Sequence, residues 1–241
     1  MADISTYIQQ ISRWQDEFPE NALAHLIDRE EESKPLLRDL LQMTLQHYKE
    51  IPEDYVGHIF AIYLLAEFRD PAGFLLALKF LELPELYLNG FFHDLLNQSY
   101  PAVIASCYAG DPKPLWAIIT SPDTCYIAKV VALVAASILV NRKSLSRPEY
   151  AAFLQEWIQT LITAKDSQML AVVAEEVADM HLSELYDTIK ALYKNGQIDE
   201  KQYSSTLFET IMQSDYTNPR KFFIIDDIFE ELNGKEYSGE E

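Results

Sequence analysis

The side chains from which enzymes build their chemistry are present in this sequence, but not in the spacings that chemistry asks for. Five histidines, His25, His47, His58, His93 and His181, include no His-Glu-x-x-His pair. The nearest metal-like doublet is His93-Asp94, and adjacent residues on a helix point in different directions, so this pair alone does not chelate one ion. His58 lies one turn before Ile62 at the head of a mostly apolar stretch, a position that predicts an exposed helix end rather than a ligand. Cys107 and Cys125 are the two cysteines; with neither Cys-x-x-Cys spacing nor a His-rich partner segment, they predict no zinc site and no disulfide framework. Glu175, Glu176 and Asp179 have the helical spacing that aims carboxylates into a bundle, as di-metal sites do, but those sites also need Glu-x-x-His. Three residues after Glu175 and Glu176 stand Ala178 and Asp179, so this set, like Glu30-Glu31-Glu32, predicts a solvated acidic face.

Phosphate chemistry is equally unsupported. The seven glycines are scattered, and neither Gly-x-Gly-x-x-Gly nor Gly-x-x-x-x-Gly-Lys-Ser/Thr occurs. No Gly-x-Ser-x-Gly elbow is present, and a nucleophilic hydrolase would have to assemble its partners from distant residues. The expectation is therefore no cofactor and no metal. The balance of 19 basic against 38 acidic residues gives a net charge of −19, which repels a nucleic acid backbone or an anionic membrane and attracts a basic protein or peptide. The first residues, Met-Ala-Asp-Ile-Ser-Thr-Tyr, lack the basic and apolar regions of a secretory signal. The longest apolar run, Val130 to Val140, is far short of the roughly 20 residues a membrane span requires. A cytoplasmic location is the expectation.

The elements that must position any site read as helices from end to end. Ile4, Ile8, Ile11 and Trp14 share one face of a helix expected to run to about Phe18. Pro19 opens a second helix, and Ser33-Lys-Pro35 restarts the chain into Leu36, Leu37, Leu40, Leu41 and Leu45. Pro52-Glu-Asp opens a helix to about Arg69, Asp70-Pro71 the next to about Leu83, and Pro84-Glu a shorter one interrupted at Asn89-Gly90. A short helix follows Asp111-Pro112, a long apolar one runs from about Thr124 to Asn141, and Ser146-Arg-Pro-Glu149 starts another with capping-box spacing. Later helices fall at about Ser167 to Asp179, Ser183 to Lys194, closing on Asn195-Gly196, and Asp199 to Gln213. Phe222-Phe-Ile-Ile225 is the nearest strand candidate, and it runs into helix-like spacing through Leu232.

One phrase recurs. Ala61 to Asp70-Pro71, Ala102 to Asp111-Pro112 and Ala132 to Asn141 each set a small residue nine positions ahead of an Asp or Asn across an apolar helix body. Ala61 and Ala102 are 41 residues apart and Ala132 follows after 30, against roughly 40 to 47 for HEAT-like units. The fold class is all-α, read as a HEAT-like α-α superhelix, with an irregular helical bundle as the alternative. Residues 1–212 form the expected helical-repeat domain, and 213–241 a capping segment and acidic tail, the last residues Ser238 to Glu241 being disordered.

Several stretches also resemble a known family. Phe18-Pro-Glu-Asn-Ala-Leu23 with Arg29-Glu-Glu, His58 through Arg69, Ser146-Arg-Pro-Glu149, and Ala191-Leu-Tyr-Lys-Asn-Gly-Gln-Ile-Asp199 are similar to an uncharacterised bacterial domain-of-unknown-function family, number 1186. The resemblance covers about residues 1–212 and implies a shared fold; it brings no assigned activity. Some members carry a C-terminal Cys-rich zinc motif, and this chain departs from them because no Cys follows Cys125.

The function expected from these readings is a non-enzymatic helical scaffold that binds a protein or peptide, with an acidic surface favouring basic partners. His58, Gln98, Tyr126 and Lys129, at the polar ends of helices assigned to the inner side of the stack, are the candidate partner-binding residues. The alternatives are an enzyme with a small-molecule or metal site between helices, and a structural homodimer joined through the acidic, amphipathic C-terminal segment.

Overall fold

The computed structural model describes residues 3–232, and among them every regular element is helical. In chain order the α-helices are α1 (Ile4–Ile11), α2 (Glu20–Asp28), α3 (Glu30–Gln46), α4 (Gly57–Glu67), α5 (Pro71–Leu81), α6 (Glu85–Phe92), α7 (Leu95–Gln98), α8 (Tyr100–Ser106), α9 (Lys113–Thr120), α10 (Tyr126–Asn141), α11 (Arg147–Ala164), α12 (Ser167–Asp179), α13 (Tyr186–Lys194), α14 (Ser205–Met212) and α15 (Ile228–Leu232). Single 3₁₀ turns occupy Ser183–Leu185 and Pro219–Phe222. The tail from Ser238 onward lies outside the described residues. The described residues divide into two compact units, one built from residues 3–132 and 224–232, the other from 133–223.

The first unit is organised around α4. Each of its residues from Gly57 to Ala66 is buried, and α3, α5 and α8 pack against it. An element apolar all round is stable only when covered on several sides, and each fully buried Leu or Ile here contributes roughly 1.5–3 kcal/mol. Ala61 of the recurrent phrase is buried on α4, and Ala102 on α8, which packs against it. In both copies the closing Asp accepts a backbone N–H two residues on, Ala72 to Asp70 at 3.2 Å and Lys113 to Asp111 at 3.0 Å. The copies then diverge: Asp70 is buried and Asp111 exposed. Residues 224–232 complete this unit. Ile225, Ile228 and Leu232 are fully buried, Ser106 Oγ accepts the Ile225 amide at 3.0 Å, and Glu67 Oε2 accepts that of Ile228 at 2.9 Å.

The second unit packs α12 against α11 and α14. Asp166 caps α12 through the Met169 amide at 2.9 Å, and Ser204 caps α14 through Leu207 at 3.2 Å. Gly196, at φ 65°, closes α13 in the left-handed conformation that glycine adopts without penalty.

Several boundaries differ from the sequence expectation, among them that of α14, expected from Asp199 but starting at Ser205 after turns over residues 199–203. Helix α1 stops at Ile11 because the next residues pair with another segment: the Trp14 amide donates to Asp54 O at 2.7 Å and the Val56 amide to Ser12 O at 3.2 Å. That same pairing draws Pro52 to Asp54 out of the following helix, which starts at Gly57. Pro35 does not restart the chain but lies inside α3, whose start at Glu30 is fixed by Ser33 Oγ donating to Leu26 O at 2.7 Å across the break. Helix α6 runs through Asn89-Gly90 and breaks at His93, which takes φ 44°.

Candidate functional site

Of the four candidate partner-binding residues, His58 is corrected by the structure. It is 2% exposed, not at a solvated helix end. Its ring is enclosed by Tyr55, Phe80, Phe91 and Phe92. Nε2 donates to Phe91 O at 2.9 Å, which fixes the tautomer, and Nδ1 is buried without a partner. Burial of the ring pulls its pKa down to about 4, against the upward pull of the Phe91 carbonyl, so His58 is a neutral core residue at pH 7. Gln98 is exposed at the end of α7, while Tyr126 and Lys129 are half-buried in the first turn of α10.

The second correction concerns the acidic set on α12. Glu175 is exposed, but Glu176 is 3% exposed and the Asp179 side chain is similarly enclosed. Their counter-charge comes from Lys221, on the 3₁₀ turn 45 residues further along, whose Nζ donates to Glu176 Oε1 at 2.5 Å and lies 3.3 Å from Asp179 Oδ2. Glu176 Oε2 accepts from the hydroxyls of Ser137 and Tyr150. Asn218 Nδ2 donates to Asp179 Oδ2 at 2.8 Å, and Asn141 Nδ2 to Lys221 O at 2.8 Å. Asn141, which closes the third copy of the recurrent phrase, thus serves this cluster rather than a helix start. Burial and the adjacent Glu176 carboxylate together push the Tyr150 phenol well above its usual range, so it stays protonated as a donor. The cluster joins α10, α11 and α12 to the 214–223 segment and contains no accessible reacting atom.

Other ionisable groups are likewise engaged in the interior. Arg38 makes a bidentate pair with Asp70, Nε to Oδ2 at 2.6 Å and Nη2 to Oδ1 at 2.7 Å, while Asp70 also caps α5. Cys107 is fully buried, burial pushes its thiol pKa up, and a reactive thiolate is not available there. Among the described residues no group of three or more His, Cys, Asp or Glu side chains is arranged to hold a metal ion.

Two concavities among the described residues have a different character. In the first unit a groove of about 340 Å³ runs between α1 and α3, lined by Ser5, Ile8 and Ser12 on one wall and Leu36, Asp39, Leu40 and Met43 on the other, with Tyr55 at one end. Each wall is a helical stripe, the first at positions i, i+3 and i+7, the second at i, i+3, i+4 and i+7. Gly57 allows the tight closure near Tyr55: a Cβ there would stand 3.0 Å from Ser12 Cα and from the Tyr55 hydroxyl. Met43 is 42% exposed and Asp39 is exposed on the same wall. In the second unit a shallower concavity of about 380 Å³ is lined by Pro148, Ala151, Ala152 and Gln155 with Glu184 and Leu185. The amphipathic pattern of α1 and α3 is legible in the sequence, whereas the groove is not: Ile4, Tyr7 and Ile11 are buried while Ile8 lines it beside α3.

An all-α protein with Asp70, Glu176, Asp179 and Lys221 paired in its interior and a mainly apolar groove between α1 and α3 is the class these observations define. Residues 2–234 match the family described as Protein of unknown function (DUF1186), and the chain belongs to that family. Two relatives are both named uncharacterized proteins. One, from Chlamydia muridarum, is 24% identical over 222 residues, covering 89% of each chain. The other, from Chlamydia trachomatis serovar D, is 24% identical over 199 residues, covering 82% of this chain and 79% of its own. No solved structure matches. No described helix is long and apolar enough to cross a membrane.

Proposed function

We propose that this protein is a non-enzymatic helical-repeat scaffold of the cytoplasm that binds a protein or peptide partner through its acidic surface. The observation that carries this reading is the division of labour among its side chains. Groups that catalysis would draw on, His58, Cys107, Glu176 and Lys221, are enclosed and committed to packing or to one another, whereas the open groove between α1 and α3 offers apolar side chains beside a free carboxylate. A net charge of −19 favours basic partners and speeds their encounter.

The test is capture of partners from native lysate at low salt and again at high salt, alongside a broad hydrolase and metal-dependent turnover screen. Recovery of defined proteins that high salt releases supports the reading. Turnover without any captured protein would overturn it in favour of an enzyme.

A further inference from the structure

We propose that the groove between α1 and α3 receives an amphipathic helix with a basic face, contributed by a protein partner. The inference rests on the scaffold reading and assigns that scaffold a site and an occupant.

The walls determine the conformation of the occupant. The walls are formed mainly by α1 and α3, whose mid-helix N–H and C=O groups are satisfied within each helix, and the extended backbone beside Ser12 and Tyr55 is already paired, residues 12–14 with 54–56, so an extended peptide finds no long free strand edge there. A segment entering it must satisfy its own backbone, and a helix does so. The stripe from Leu36 to Met43 spans seven residue steps, about 10 Å at 1.5 Å per residue. That is two turns, the length over which a docked helix presents apolar anchors at i, i+3, i+4 and i+7. Ile8, Leu36, Leu40 and Met43 form the apolar contact, and the flexible thioether of Met43 adapts to differing side chains.

The charge around the groove determines the sign of the occupant. Residues 1–54 carry twelve carboxylates against five Lys and Arg, a local balance of −7. Four of those five cations are already engaged: Arg13 with Asp54, Arg29 with Glu32, Lys34 with Glu30 and Glu31, and Arg38 with Asp70. The fifth, Lys49, lies over the Tyr48 ring. No lysine or arginine lines the groove, and Asp39 stands among the apolar side chains of its wall, where a Lys or Arg of the incoming helix would reach it. An acidic helix would meet uncompensated repulsion, so the site discriminates by charge as well as by shape.

The probe is a fluorescein-labelled Leu/Lys peptide of about 16 residues, long enough for a helix to form on binding, with leucines at helical spacing. It is titrated against the full chain by anisotropy, beside a scrambled peptide of the same composition and one with Glu replacing Lys. The expected result is binding at least about tenfold tighter than either control, weakened about tenfold or more by Met43→Asp. Asp39→Lys should weaken it several-fold and flatten its salt dependence, while Leu75→Asp, at an exposed position on α5, should leave it unchanged. Circular dichroism confirms folding, and Asp39→Lys, at an exposed position, carries the test if Met43→Asp does not fold.

Equal binding of the scrambled peptide, or retention of affinity in both groove variants, would overturn the groove assignment while leaving partner capture from lysate as evidence for the wider reading. Absence of binding by every probe together with absence of captured partners would overturn both. Sedimentation showing a dimer that Met43→Asp dissolves would overturn the proposed occupant and assign the groove to a second copy of the chain.

Discussion

Replacing His58 with Gln tests whether the aromatic enclosure in the first unit controls stability at acidic pH. The wild-type imidazole is neutral in the fold with a pKa of about 4 because burial penalises its charged form, while in the unfolded chain it titrates near 6.5. Between these values the unfolded state binds more protons, so stability is full above about pH 6.5 and falls as pH drops toward 4. Taking the whole difference, the loss is roughly 3 kcal/mol. Glutamine places an amide donor where Nε2 donates to Phe91 O, 2.9 Å away, but does not titrate. At neutral pH the variant should lose about 1 kcal/mol for an imperfect hydrogen bond. Denaturant titrations over the acid range should then show the gap between the two proteins closing and reversing, because only the wild type meets the His58 penalty. The other four histidines and all carboxylates are common to both chains, so the difference isolates this ring. An NMR titration of the His58 imidazole provides a direct check. Protonation near pH 6, or an identical acid loss in the variant, would refute the reasoning.

The remaining expectations concern other contacts. Lys221→Met leaves Glu176 and Asp179 enclosed without their cation and should destabilise the second unit by about 3–5 kcal/mol, whereas Lys221→Met combined with Glu176→Gln should recover part of that loss in a double-mutant cycle measured by urea unfolding. Gly73→Ala would bring a Cβ to 2.7 Å from Cys107 Sγ and should cost about 1–3 kcal/mol; adding Cys107→Ala should relieve most of it, and a melting temperature that does not recover in the double variant would contradict this packing. Asp70→Ala removes both the α5 cap and the bidentate partner of Arg38, for an expected loss of about 3–5 kcal/mol by thermal unfolding, while Asp111→Ala, at the exposed counterpart position, should cost about 1 kcal/mol or less.

The contrast between Asp70 and Asp111 also shows where sequence reading reaches its limit. Asp-Pro marks a helix start in both copies because capping and the fixed φ of proline are local, and local chemistry is visible in the sequence. That one Asp is buried against Arg38 and the other faces solvent depends on residues more than thirty positions away. The burial of His58 is invisible in the sequence for the same reason: nothing beside it in the chain announces that Phe80, Phe91 and Phe92 enclose it. The acidic set on α12 looked solvated because its neutralising lysine arrives from a distant 3₁₀ turn; the one hint was a lysine directly ahead of the apolar run Phe222 to Ile225. Pro35 is tolerated inside α3 because a proline six residues into a helix removes one hydrogen bond near its start, a loss that the Ser33 link to Leu26 offsets. The α1–α3 groove was half legible, since Leu36, Leu40 and Met43 fall on one stripe, but its second wall required knowing where α1 stops and how it packs.

On the proposed reading, this protein acts through the apolar groove between α1 and α3 rather than through its enclosed ionisable groups. Hydrogen exchange of the full chain with and without the basic amphipathic probe, or with a basic partner captured from lysate, measures this directly. The expected result is slowed exchange concentrated in residues 5–12 and 36–43, with the segments around Glu176 and Lys221 unchanged. Protection absent from those two stretches, or centred on the second unit, would contradict it.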